Sequence, residues 1–347
     1  MKILVDILGG DTAPKNMVEG AIMAMQQDPA LTCVLVGDEN YARPEIEKAG
    51  LADRAEYIHT TENISFDEQP TQAIRRKGTS MMMAFDKLIS SDEYASFVSA
   101  GSTGALLAGG FLKVGRIEGV SRPMLCPLMP TAKPEVKVIL ADAGANMDCK
   151  PVNLVHFALM TDVYARLALG VEKPRLALVS VGTEEGKGNE LTHATFPVLK
   201  ALHERGALNF VGNMEARDAL SGDYDILICD GFVGNVVLKC IEGTAKLMGK
   251  QIKKVCTASI CSKFGALFLR KGLKKMKASF DEEGTGGSPL LGTKKPVIKA
   301  HGNSSAIAFK NAIFVGATVA RQDLSAAIKE TLEKHKDLIT EMTTEKK

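Results

Sequence analysis

Five times in this chain a short apolar run ends in a glycine-centred polar turn and then resumes with helical spacing. The runs are Ile3-Leu4-Val5-Asp6 into Gly9-Gly10-Asp11, Phe97-Val98-Ser99 into Gly101-Ser102-Thr103-Gly104, and Val138-Ile139-Leu140 into Asp142-Ala143-Gly144-Ala145-Asn146. Two more follow, Leu178-Val179-Ser180-Val181 into Gly182-Thr183-Glu184 and Ile226-Leu227-Ile228-Cys229 into Asp230-Gly231-Phe232-Val233-Gly234-Asn235. Uninterrupted aliphatic runs of this length are the signature of strands buried on both faces, which occur in parallel α/β sheets. Ligands of such sheets collect beyond the carboxyl ends of the strands, so the five turns are expected to share one crevice.

At 347 residues the chain is long enough to bury a large core. The formal charge of +2, the absence of Trp and only five Tyr leave neither a strong global field nor an aromatic platform for stacked bases, which argues against nucleic acid as a partner. Seven cysteines without a CxxC pair make neither a disulfide framework nor a zinc site, and the plain reading is a reduced, cytosolic protein without a metal. The opening Met1-Lys2-Ile3-Leu4-Val5-Asp6 meets an acid too early for a signal-peptide core. Ala95 to Leu112 is uncharged over eighteen residues, but its glycines and hydroxyl residues fit strand, turn and helix start better than a membrane span.

No flexible linker, repeat or low-complexity block divides the chain, so 1–335 reads as one α/β unit and 336–347 as a charged tail. Asp11 or Thr12 is expected to cap a helix with Pro14 in its first turn. Residues 71–90 look helical and carry Arg75-Arg76-Lys77 near the start, where the helix dipole does not favour cations. The four prolines between Arg122 and Pro134 point to an irregular crossing between parts of the sheet. A last helix is expected from about Asp323.

Lys187 stands between Gly186 and Gly188, directly after a buried-type strand. There an ammonium can meet a phosphate, although a solvated surface turn has the same appearance. Neither GxxxxGK[ST] nor the dinucleotide fingerprint is present. Asn235, at the end of a turn with two glycines, is either a donor to a developing oxyanion or a helix N-cap. His301-Gly302 offers a proton shuttle or a structural hydrogen bond. Six scattered histidines make no triad and no HxxxH pair, so a covalent nucleophile is not supported. The pattern favours a site that positions an anion and stabilises charge with donors.

From 236 to 280 the texture is one long helical pattern with a basic bias. Between Lys246 and Lys277 there is no acid, and the apolar knot Phe264-Gly265-Ala266-Leu267-Phe268-Leu269 is followed by Arg270, Lys271, Lys274, Lys275 and Lys277. Apolar residues mixed with lysines suit an acidic protein or an anionic membrane face, and a core-facing helix with a solvated basic side is the alternative.

Taken together the turns resemble the phosphate acyltransferase (PlsX) family from Lys2 to about His335. The resemblance rests on the turns above, Gly115-Arg116-Ile117, Lys187-Gly188-Asn189-Glu190-Leu191, Gly212-Asn213, Glu215-Ala216-Arg217 and Lys299-Ala300-His301-Gly302. It implies a three-layer α/β/α Rossmann-like fold like that of phosphotransacetylases and isocitrate dehydrogenases, with a helical basic extension. It implies an enzyme without a cofactor that moves a long acyl chain from acyl carrier protein to inorganic phosphate for phospholipid synthesis. It further implies a homodimer on the inner membrane face that hands its product to a glycerol-phosphate acyltransferase.

Residue by residue, the resemblance places catalysis on Lys187 and Asn235. Phosphate or substrate contacts are expected from Gly9, Gly10, Asp11, Gly101, Ser102, Thr103, Gly104, Asp142, Asn146, Gly182, Thr183, Asp230, Gly231, Gly234, His301 and Gly302. Membrane or carrier contacts are expected from Arg75, Arg76, Lys77, Phe264, Leu267, Phe268, Lys271 and Lys274. The chain departs from the family's usual Asn at Ser102 and from its Tyr-Gly-Gly-Ala stretch at Thr285-Gly286-Gly287-Ser288. A phosphotransacetylase-like enzyme using acyl coenzyme A and a non-catalytic membrane-surface organiser of lipid enzymes are the rival readings.

Overall fold

A computed structural model of the protein describes residues 1–280 and 286–343, with the backbone alone for 274–280. Thr285, the side chain of Lys274 and the last four residues of the expected tail therefore lie outside the described residues. The strands are β1 Lys2–Asp6, β2 Thr32–Gly37, β3 Ala55–His59, β4 Tyr94–Ser99, β5 Met124–Leu125 and β6 Leu128–Pro130. They continue with β7 Lys137–Ala141, β8 Arg175–Ser180, β9 Asn209–Glu215, β10 Ile226–Ile228, β11 Ser288–Leu291 and β12 Val297–Lys299. The helices are α1 Lys15–Gln27, α2 Glu39–Lys48, α3 Pro70–Ala73, α4 Ser80–Ser90, α5 Thr103–Gly109 and α6 Pro151–Leu169. After them come α7 Glu190–Glu204, α8 Gly231–Thr257, α9 Ile260–Phe280, α10 Ala306–Arg321 and α11 Leu324–Thr343.

The strands form two sheets, one of seven in the order β3-β2-β1-β4-β12-β11-β5 and one of five in the order β6-β7-β10-β8-β9. Strands in the centre of each are parallel, with β1 beside β4 and β4 beside β12 in the larger sheet, and β10 between β7 and β8 in the smaller. The proline-rich crossing is the join: β5 closes the larger sheet and β6, two residues on, opens the smaller one.

Period-two alternation splits each apolar run between two layers of helix. Ile3 and Val5 of β1 pack with Met17 and Ala21 of α1 and with Phe309 and Ile313 of α10, while Leu4 faces Met81, Met82 and Phe85 of α4. In the smaller sheet Ile226 and Ile228 of β10 meet Leu154, Phe157 and Ala158 of α6, whereas Leu227 faces the other way. Helix α6 is buried from Asn153 to Ala165 because α11 and α7 cover what the sheet does not. The burial of each large aliphatic side chain in these layers contributes roughly 1.5–3 kcal/mol.

Three expectations are corrected. Residues 71–90 are not one helix: α3 ends at Ala73, and α4 starts only at Ser80. The 236–280 pattern is two helices, α8 and α9, separated at Ala258-Ser259. Helix α1 begins at Lys15 with Pro14 at its cap, and the Thr12 hydroxyl donates to the Ser304 carbonyl instead of capping. The last helix, expected from about Asp323 with Leu324, Ile328, Leu332 and Leu338 at helical spacing, is α11, and those four side chains are buried in the core.

Candidate active site

The turns fall into two groups, one at the carboxyl edge of each sheet. On the larger sheet Gly9, Gly10 and Asp11 follow β1, Gly101 to Gly104 follow β4, and His301 and Gly302 follow β12, three adjacent strands. The Asp11 N–H donates to the Gly302 carbonyl at 2.7 Å and joins the first of these turns to the last. On the smaller sheet Asp142 and Asn146 follow β7, Asp230 to Asn235 follow β10, and Gly182 to Lys187 follow β8, again adjacent strands.

Between the two groups lies a cleft of about 420 Å³. From the larger sheet's side come Asp11, Thr103, Lys299, His301 and Gly302, with Phe66, Gly286, Gly287 and Ser288. From the crossing and the smaller sheet's side come Leu125, Pro127, Leu128, Ala143, Leu238 and Asn235. Lys239 and Glu242 also line it, paired with each other at 2.8 Å. Asp11, Thr103, Lys299 and His301 thus stand on the larger sheet's side, and the smaller sheet's side offers aliphatic carbon, the Asn235 carboxamide and the Lys239–Glu242 pair.

Asn235 is not an N-cap. Asp230 holds that position, its carboxylate accepting from the Val233 N–H at 2.8 Å, a contact of about 1 kcal/mol to the helix. The Asn235 side chain is left to the cleft, against the turn at Gly144. Gly234 permits this placement: a Cβ there would lie 2.0 Å from the Asp142 carbonyl oxygen, so only glycine lets α8 approach the β7 turn so closely.

Asp142 and Asn146 shape the site from behind. The Asp142 carboxylate is fully buried and accepts from Leu125 N at 3.0 Å, Ala145 N at 3.1 Å, Asn146 N at 2.6 Å and Asn146 Nδ2 at 2.9 Å. Burial raises its pKa, and these donors pull the other way. With its oxygens so engaged it holds the turn rather than a substrate. Ser102 is also buried and caps α5 by accepting from Ala105 N, whereas its neighbour Thr103 is exposed to the cleft.

Lys187 stands elsewhere. It is exposed, on the β8–α7 turn where Ser180 Oγ donates to its carbonyl, and it is not among the residues lining the cleft. Gly182 and Thr183 belong to the same turn, next along the sheet from the Asn235 helix. In the basic segments Arg76 is paired with Glu62 and Glu68, while Arg75 and Lys77 are exposed. Phe264, Leu267 and Phe268 are exposed by 65, 62 and 87 %, and Lys271 is exposed beside them.

Two groups escape a reading of the sequence. Lys299 ends β12, is only 9 % exposed, and places its ammonium against the carbonyls of Ala100, at 3.4 Å, and Ala300. A lysine between Ile298 and Ala300 in an otherwise apolar strand was the available signal. Asp6 is wholly buried behind the Gly9 turn. Its position at the end of an apolar run and before two glycines was the hint, but its partners Ser80 and Ser99 are far away in sequence.

The fold is that of acyl-transferring phosphotransacetylases. The EutD phosphotransacetylase of Staphylococcus aureus superposes with a TM-score of 0.59 at 17 % identity, over 92 % of this chain and 94 % of that one. The branched-chain phosphotransacylase of Enterococcus faecalis gives 0.57 at 14 %, over 93 and 100 %. A family model described as fatty acid synthesis protein matches residues 1–327. The phosphate acyltransferase of Brevibacillus brevis is 45 % identical over 96 % of this chain and 98 % of its own length, and that of Clostridioides difficile 43 % over 97 and 98 %. The chain belongs to the phosphate acyltransferase family and is an enzyme that transfers acyl groups to phosphate.

Proposed function

We propose that the protein moves a long-chain fatty acyl group from acyl carrier protein to inorganic phosphate, giving acyl phosphate for phospholipid synthesis. One observation carries the reading: the cleft brings Asn235 and the aliphatic Leu125, Pro127, Leu128, Ala143 and Leu238 together with Thr103, Lys299 and His301 from the edge of the other sheet. Aliphatic carbon suits the chain of a thioester, and a buried ammonium with hydroxyl and ring donors suits a phosphate. In the proposed step a phosphate oxygen attacks the thioester carbonyl, and the carboxamide N–H of Asn235 stabilises the oxyanion. Collapse of the tetrahedral species expels the carrier thiolate. Lys187 stays in the proposal as the second catalytic group on the family resemblance; it stands on the turn after β8, beside the strand that leads to Asn235, and does not line the cleft.

The α8–α9 pair is the proposed contact for acidic carrier or anionic membrane. Apart from Gly231 and Gly234 no residue of α8 is buried, and its exposed apolar residues include Leu247, Met248 and Val255. Such a face with lysines on its flank suits reversible surface attachment. Among the described residues no helix is long and apolar enough to cross a membrane. We place the enzyme as a homodimer at the inner membrane face, with a glycerol-phosphate acyltransferase as recipient of its product. Release of free thiol from acyl-loaded carrier and from acyl coenzyme A, each with and without orthophosphate, tests the reading. Phosphate-dependent release from the carrier is expected; preference for coenzyme A makes the enzyme a phosphotransacetylase, and no release in either case leaves a surface organiser.

A further inference from the structure

We infer that Asp6 is a positioning residue for phosphate, holding the polar side of the cleft in its binding shape without touching the substrate. The inference rests on the reaction proposed above. Asp6 is 0 % exposed and is not among the cleft's lining residues, so it can act only through what it holds. Its Oδ1 accepts from Leu8 N and Gly9 N, both at 3.1 Å, and from Ser80 Oγ at 2.7 Å. Its Oδ2 accepts from Ser99 Oγ at 2.6 Å, and that hydroxyl in turn accepts from Gly101 N at 3.0 Å.

One carboxylate therefore ties together the turn after β1, the start of α4 and the turn after β4. The packing around it leaves no slack: a Cβ on Gly9 would stand 2.6 Å from Asp6 Oδ2 and 2.6 Å from Gly101 N. From these anchors the chain runs within a few residues to Asp11 and to Thr103, both in the cleft, and Asp11 N carries the tie on to the Gly302 carbonyl. Acceptors are what the local donors need, and a carboxylate is the side chain that offers only acceptors. Burial raises the Asp6 pKa and the Ser99 and Ser80 hydroxyls oppose it, as expected of a charge kept in the interior by directed donors.

Asp6→Asn keeps the shape and changes the chemistry. An amide nitrogen in place of Oδ2 cannot accept from Ser99 Oγ, so that hydroxyl must rotate, and the Gly101 N–H loses its oriented partner. The test uses full-length enzyme with acyl-loaded carrier, varying orthophosphate and carrier separately, alongside thermal unfolding. Asp6→Asn is expected to raise the KM for phosphate by about tenfold or more, the weight of a hydrogen bond to a charged group, with the KM for carrier nearly unchanged. Ser99→Ala, which leaves Asp6 with its three Oδ1 donors but removes both the donor to Oδ2 and the acceptor of Gly101 N, is expected to move the same parameter the same way by less. It carries the test alone if Asp6→Asn does not fold.

An unchanged phosphate KM in folded variants overturns the inference, as does a parallel rise in both KM values with a loss of melting temperature, the pattern of a merely structural group. Wild-type enzyme separates this failure from failure of the proposed reaction. If wild type releases no thiol in response to phosphate, the reaction is wrong and the inference falls with it; if it does and the variants match it, only the role of Asp6 is wrong.

Discussion

The turns around the cleft and the α8–α9 pair are built on opposite principles. Around the cleft two buried aspartates, one behind each sheet's edge, each accept four hydrogen bonds, and glycines let backbone meet backbone where a methyl group would not fit. Along α8 and the described side chains of α9 most residues are exposed, Phe268 by 87 %. Chemistry at a thioester needs donors held within fractions of an ångström, whereas a surface that must grip and release a partner needs apolar area and charge without fixed register. In the proposed function one helix serves both needs: α8 places Asn235 at the cleft and ends, about six turns away, in the exposed face.

If this contrast is real, substitutions at the two ends of α8 should part company. Asn235→Ala removes a donor from the cleft and is expected to cut acyl phosphate formation on the order of a hundredfold or more, with the melting curve little changed. The scaffold has its own signature in a buried histidine of α6, on the face of the smaller sheet opposite α8. His156 accepts from Ser121 N at 3.1 Å, and burial lowers its pKa from 6.5 to about 4. The folded state therefore binds this proton less well than the unfolded chain. Its share of the stability is complete above pH 6.5 and is lost as pH falls from there towards 4. The loss is of order 3 kcal/mol, and urea midpoints for wild type should fall across that window more steeply than those of His156→Gln.

Gly234→Ala sets a methyl group against the Asp142 carbonyl, and a loss of about 1–3 kcal/mol in urea unfolding is expected, with activity falling alongside because Asn235 is displaced. Phe268→Asp should cost under about 0.5 kcal/mol of stability, since the ring is already in water. It should nevertheless weaken sedimentation with anionic vesicles about tenfold, the value of one apolar side chain withdrawn from an interface. Equal losses of stability at Gly234 and Phe268 would erase the distinction between the regions.

What was legible in the sequence follows the same division. The turns announce themselves because glycine beside a strand end is a local requirement, and the exposed face announces itself because its apolar and basic residues recur with helical spacing. The split into two sheets is non-local: nothing within β1 or β7 says which neighbours each will have, and only the prolines of the crossing marked the place where the chain changes sheet. Helix 71–90 was misread because Thr79-Ser80, the true start of α4, is recognisable only once Asp6 is seen to hold Ser80. Asn235 stayed open between donor and cap because nothing local says that Asp230, five residues before it, is the cap that the helix uses. Lys299 and Asp6 were hidden for one reason, that a buried charge in an apolar run shows its purpose only through partners distant in the chain.

The central claim is that thioester and phosphate meet in one cleft, each against its own side, with no acyl group passed to the protein. Initial rates measured over a grid of acyl-carrier and orthophosphate concentrations test it most directly. Double-reciprocal lines that intersect, the mark of both substrates bound together, are the predicted result; parallel lines, with an acyl-enzyme mass appearing when phosphate is withheld, would contradict it.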